Sequence, residues 1–195
     1  MSPRAPLMRL PPVLLAAALL MASPASAAPS AAELQGALAG SWKGALGYRD
    51  YQDNKLYELP VQTQVTAIGD GVSVLRVSTF DDGPSVGAVR ITTASLFDPK
   101  AGTVTSATLR KGRPVEVSTE TVSLSAYRDP VHWTLVYERN GPDGDGDARI
   151  RITETRDGDS LMSVKEVRPL NPTDAPWAFR NQTRLTRESG QGNRQ

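Results

Sequence analysis

The segment Gly40-Ser41-Trp42-Lys43-Gly44-Ala45-Leu46-Gly47-Tyr48-Arg49 decides the fold. Trp42, Gly44, Leu46 and Tyr48 alternate with Lys43, Ala45, Gly47 and Arg49. That two-residue period puts a mostly apolar row on one side of an extended chain and a more polar row on the other. A helix would scatter the two sets around its circumference, so the pattern reads as a strand with one face against a core and one toward water.

Working outward, the Asp53-Asn54 pair supplies turn chemistry, and Tyr57, Leu59, Val61, Thr63 and Val65 resume the alternation. Pro60 demands an edge, a bulge or a late strand start there, because it cannot donate to a ladder. Asp70-Gly71 and Asp82-Gly83-Pro84 bracket Val72 to Phe80, and Val86 to Phe97 follows. Further strands are predicted over 103–110, 115–126, 131–139, 148–156, 161–168 and 179–187, separated by turn clusters such as Lys111-Gly112, Gly141 to Asp147 and Asp157-Gly158. Before the first strand, Ala31 to Leu38 has helical propensity and Gly40 ends it. The expectation is an all-β chain: an antiparallel up-and-down β-barrel of about eight to ten strands with a short N-terminal helix.

Residues 1–27 read as a signal peptide. Arg4 and Arg9 form a basic start, Val13 to Ala22 is apolar, and Ala25-Ser26-Ala27 is an A-x-A cleavage signal. The apolar run is well short of the roughly 20 residues a spanning helix needs. The expected arrangement is therefore a single barrel domain over 28–190 with a flexible tail at 191–195, in a periplasmic or secreted protein without a membrane anchor. The chain has no cysteine, which excludes disulfides, thiol catalysis and cysteine-based metal sites. The signal carries two of the 22 basic residues and none of the 21 acidic ones. A mature charge near neutrality argues against nucleic acid as a partner, and a monomer or weak dimer is expected.

Leu38-Ala39-Gly40-Ser41-Trp42-Lys43-Gly44 resembles the opening of lipocalin-like (calycin) barrels, where a helical turn leads into a G-x-W first strand. Tyr48-Arg49-Asp50-Tyr51 and a terminal Phe179-Arg180-Asn181 to Thr186-Arg187 strand extend the resemblance to secreted bacterial members. It implies a basic residue of the last strand packed across Trp42 at the closed end, with Arg187 first and Arg184 second for that role. A guanidinium suits it, since it can stack on the indole while donating to carbonyls. In related nitrobindin-like barrels a histidine binds haem. The lone His132 lies away from the late strands where that ligand belongs, so no cofactor is expected.

The inward rows mix bulky apolar residues with small ones, which leaves room for a small, mainly apolar ligand; Trp42, Leu46, Tyr48, Tyr57, Trp133, Tyr137 and Phe179 are the candidate contacts. The alternative is a filled barrel that acts in the envelope through its loops, at Asp81-Asp82-Gly83 and Gly141 to Asp147. An enzyme ranks third, because spacing alone places no pair of titratable groups together. Gly83-Pro84-Ser85-Val86-Gly87 spells a nucleophile elbow but sits between antiparallel strands, where a hairpin loop explains it. Asp143, Asp145 and Asp147 have the spacing of the first Ca²⁺ ligands of an EF-hand, with Glu154 at its bidentate position. Ala148 stands where that loop requires glycine, and strands replace the flanking helices, so no metal is expected. His132 is expected on the outer face opposite Trp133.

Overall fold

The computed structural model describes residues 28–49, 55–144 and 146–189. The signal-peptide reading, the Asp53-Asn54 turn, Asp50, Tyr51, Asp145 and the tail at 191–195 lie outside these residues. A six-residue helix, α1 (Ala31–Gly36), is followed by β1 (Gly40–Arg49), β2 (Leu56–Ala67), β3 (Ser73–Asp81), a helical turn α2 (Gly83–Val86), β4 (Ala88–Asp98) and β5 (Thr103–Arg110). Then come β6 (Glu116–Asp129), β7 (His132–Asp143), β8 (Gly146–Asp157), β9 (Ser160–Pro169) and β10 (Ala178–Arg187). Each strand pairs antiparallel with its neighbours in sequence, and β1 pairs with β10, so the ten strands form a closed barrel. Closure removes the sheet edges that would otherwise invite pairing with another chain.

The alternation of β1 holds in burial only at its start; further along, Gly44 and Tyr48 are exposed and Gly47, from the other row, is buried. Trp42 is fully buried, Lys43 faces water, and Trp42 stands opposite Arg187 of β10 and Thr63 of β2. Pro60 lies within the β1–β2 ladder opposite Ala45, but the β2–β3 ladder starts only at Val61 opposite Phe80. The first residues of β2 thus have β1 on one side alone, and this local edge is where the missing N–H of Pro60 costs nothing.

Three boundaries differ from the sequence expectation. The helix ends at Gly36, capped by Ala37, because Leu38 and Ala39 turn the chain inward and Gly40, at φ +131°, starts β1. Val86 belongs to α2 and not to β4; Gly83 and Gly87, both at φ +77°, bound this turn in the conformation that favours glycine. β7 and β8 continue to an Asp143–Gly146 pair, which consumes most of the predicted loop between Gly141 and Asp147.

α1 covers the end of the barrel where β1 begins. Its Ser30–Glu33 capping box satisfies the first N–H groups, while Ala32, Leu34 and Gln35 are buried against the barrel. Ala32 and Leu34 join Leu38, Trp42, Val65, Val74, Phe97, Val104, Trp133 and Leu135 in the main core at this end, and Ala148, Ile150 and Val167 form a second, smaller buried cluster toward the other. No helix among the described residues is long and apolar enough to cross a membrane.

Gly44 marks the tightest point of the closure. A Cβ placed there would lie 1.8 Å from the carbonyl oxygen of Arg184, a backbone atom that cannot swing aside. Gly44→Ala is expected to destabilise the protein by about 3 kcal/mol, at the upper end of overpacking costs, read as a lower midpoint in urea unfolding. A variant of unchanged stability would show that β1 and β10 do not approach this closely.

Candidate functional site

The closed end is built around Trp42. Its indole Nε1 donates to the carbonyl of Leu38 at 2.8 Å, which ties β1 to the segment leaving α1. The Arg187 guanidinium lies 5.3 Å from the ring centroid and donates to the Ala39 carbonyl at 2.5 Å. A second guanidinium, Arg156 of β8, lies 5.9 Å from the same ring and bonds the carbonyls of Ala37, Pro130 and Gly158. Burial and the neighbouring positive charge of Arg187 lower the Arg156 pKa. Arg184 takes no part. Three residues from Arg187 on a strand, it points to the opposite face, where it pairs with Glu58 at 2.5 Å. Arg156 was not singled out from sequence, because an Ile-Arg-Ile-Thr-Glu-Thr-Arg alternation puts arginines on both faces of β8.

Above this plug lies a cavity of about 210 Å³. On one side are Gln35, Arg76, Glu154 and Tyr137, brought together by α1, β3, β8 and β7. Arg76 donates to Glu154 and to Gln35, both at 3.1 Å, and the Gln35 amide donates in turn to Glu154. The Glu154 carboxylate raises the Arg76 pKa, so this guanidinium is charged. Burial drives the Tyr137 phenol well above its ordinary range, with the Glu154 charge adding to the shift. On the other side, β4 to β6 present Thr93, Ser95, Ser106 and Glu120. Ser95 and Ser106 share a hydrogen bond of 2.9 Å, and Glu120 accepts from Arg139 Nε at 3.1 Å. Burial raises the Glu120 pKa in spite of that partner. Val74, Phe97, Val104 and Ile152 supply the apolar part of the lining.

Nearer the open end, Asp143 joins Lys165 at 3.2 Å and Arg180 at 2.6 Å. Burial alone would raise its pKa, but these two cations outweigh it and hold the carboxyl below its ordinary value. The carboxylate placed first in the Ca²⁺ pattern is therefore engaged by cations. Glu154, placed last in that pattern, is buried against Arg76, and Asp147 is exposed.

The predicted ligand contacts are spread over the length of the barrel. Trp42 and Trp133 belong to the packed plug, and only Tyr137 lines the cavity. Leu46 is half-buried above it. Tyr48 and Tyr57 stack at the open end with centroids 6.1 Å apart, and Arg49 lies 6.0 Å over Phe179. The lining is accordingly less apolar than the sequence rows suggested, since Gln35, Arg76, Glu120 and Glu154 all reach it. Arg76, Glu120 and Glu154 share a parity with inward apolar residues of their strands, which is visible in a sequence only once the inward row is known.

His132 is half-buried on the outer face, its Nδ1 2.7 Å from Asp129 and its Nε2 3.3 Å from Asp157. Ser85 lies in α2 at the opposite end of the barrel, so the letters of the nucleophile elbow assemble no catalytic triad.

The crystal structure of Rv2717c from M. tuberculosis is similar to this chain, with a TM-score of 0.53 at 16% sequence identity, covering 78% of this chain and 94% of that one. At that identity the likeness shows the barrel fold alone. No protein-family model matches the chain, and no curated protein matches it.

The Arg76–Glu154 pair generates a prediction about stability. Arg76→Met or Glu154→Met leaves the other charge buried without its partner, and each is expected to cost about 3–5 kcal/mol. The double substitution is expected to cost less than the two singles summed, since it buries no lone charge. Urea unfolding of the four proteins measures this, and strict additivity would mean that the pair is not coupled.

Proposed function

We propose that this protein is an exported, lipocalin-like barrel that holds a small molecule in its interior. The observation that carries the reading is the interior cavity: one end of the barrel is sealed by α1 and the Trp42 plug, and above it polar side chains converge on open space. A filled eight-strand barrel leaves little interior space, and two further strands widen the lumen. Well-placed polar groups beside an apolar wall are what orients a small molecule in a pocket, and here they outnumber the apolar residues Val74, Phe97, Val104 and Ile152. The cavity falls below the roughly 300 Å³ lower range of drug-sized pockets, which favours a compact occupant. The reading of residues 1–27 supports export, and the G-x-W start with the Trp42–Arg187 pairing supports the lipocalin-like assignment.

A second reading, an interaction protein, draws support from the outer surface. Leu75, Ala94, Ala107 and Val117 stand side by side across β3 to β6, without a charge among them. Leu96, Leu109, Val115 and Val117 around this row are 45–68% exposed. The wall formed by β7 to β9 instead carries the Arg149–Glu138 and Arg151–Glu166 pairs. An uncharged, partly apolar sheet face is suited to covering by another surface.

Native mass spectrometry of protein purified from the compartment into which it is exported is expected to show a bound small molecule. Ser106→Phe, which fills the cavity, is expected to abolish it while the fold remains. A wild-type protein with no adduct, together with a water-filled interior, would refute interior binding. The second reading predicts self-association or partner capture that Val117→Lys removes, read by sedimentation velocity; a strictly monomeric wild type that captures nothing would dismiss it.

A further inference from the structure

The charges around the cavity narrow the chemistry of its occupant. Arg76 is matched by Glu154 and Gln35, and Glu120 by Arg139, so each charged group in the lining already has a partner of complementary character. The facing wall of Ser95, Ser106 and Thr93 offers neutral hydroxyls that can donate or accept. An ionised ligand entering this space would lose its hydration without meeting an uncompensated countercharge, or would have to break an existing pair. An uncharged ligand faces neither penalty, and it can exchange hydrogen bonds with the hydroxyl wall and with Tyr137.

We propose that the cavity selects a compact, uncharged molecule with both a hydrogen-bond donor and an acceptor, of the amide type, attached to a small apolar ring, and discriminates against carboxylates and amines of the same size. The volume supports this scale: 210 Å³ corresponds to about seven waters at roughly 30 Å³ each. The amide edge belongs beside Ser95, Ser106 and Tyr137, and the ring against Val104 and Ile152. This inference rests on the interior-binding reading and adds the ligand class to it.

The test uses three ring compounds matched in size: benzamide, benzoate and benzylammonium, titrated against the full mature chain by isothermal calorimetry at neutral pH. Benzamide is expected to bind at least tenfold more tightly than either ion, and Ser106→Phe to abolish that binding. If benzoate or benzylammonium binds as tightly as benzamide and Ser106→Phe removes the binding, the interior holds ligands but the charge argument is overturned. If none of the three binds, the proposal is likewise overturned, and the natural adduct in native mass spectra decides separately whether the interior-binding reading survives. Glu154→Gln adds a second check, because it strips Arg76 of its countercharge. Preference is then expected to shift toward benzoate by about tenfold, and an unchanged order of affinities would show that the Arg76–Glu154 pair does not set selectivity. The wild-type comparison stands even if this variant folds poorly.

Discussion

The antiparallel ladder between β1 and β10, with Trp42 opposite Arg187, is the constraint on which the rest of the molecule depends. A meander of strands is an open sheet until its ends meet, and an open sheet of this length would expose two edges. The meeting is held at Trp42. An indole donates to the Leu38 carbonyl, two guanidinium groups lie 5.3 and 5.9 Å from the ring centroid, and their donors satisfy carbonyls of the segment between α1 and β1. Cations over an aromatic face gain when water is excluded, and the same groups would be worth little on the surface. Gly44 belongs to this arrangement, since only a residue without Cβ lets β10 pass so near β1.

Sealing one end creates an inside whose layers differ, with a second apolar cluster of Ala148, Ile150 and Val167 toward the far end. Beside the plug the inward row is apolar and packed. One layer further, Arg76, Glu154, Gln35 and Tyr137 replace it with a hydrogen-bonded network. Buried polar groups persist only when they satisfy one another, and among the described residues no buried side-chain nitrogen or oxygen lacks a partner. The network therefore holds the helix to the barrel as well as lining the cavity, since Gln35 of α1 is one of its members. Any ligand interacts with a wall whose charges are already balanced, and this directs selectivity toward neutral polar chemistry.

Much of the architecture was legible in single residues. The alternation in β1, the Asp-Gly turns and the regular spacing of apolar rows marked nearly every strand, because period-two burial leaves a direct trace in a sequence. The trace fades where both rows are apolar or both are charged. β3 reads Val-Leu-Arg-Val-Ser-Thr-Phe, and nothing local says that Arg76 points inward while Leu75 points out. β8 carries arginines on both faces, so Arg156 could not be told from Arg149 or Arg151. Gln35 was hidden for another reason: a glutamine on a six-residue helix looks solvated until the barrel end beneath the helix is known. Glu154 fell into a calcium spacing that the two neighbouring strands do not support, and the structure gives it to Arg76 instead.

By itself, then, the sequence determined the all-β class, the order of the strands and their number to within about two, the helix that precedes them and the chemistry that zero cysteines exclude. These follow from local patterns, because alternation, turn residues and capping act over a few positions. Only the tertiary structure decided which arginine meets Trp42, that Arg184 faces outward, and that four polar residues from four elements share one cavity. Such facts depend on strand register and barrel closure, which bring together residues as far apart in the chain as Gln35 and Glu154.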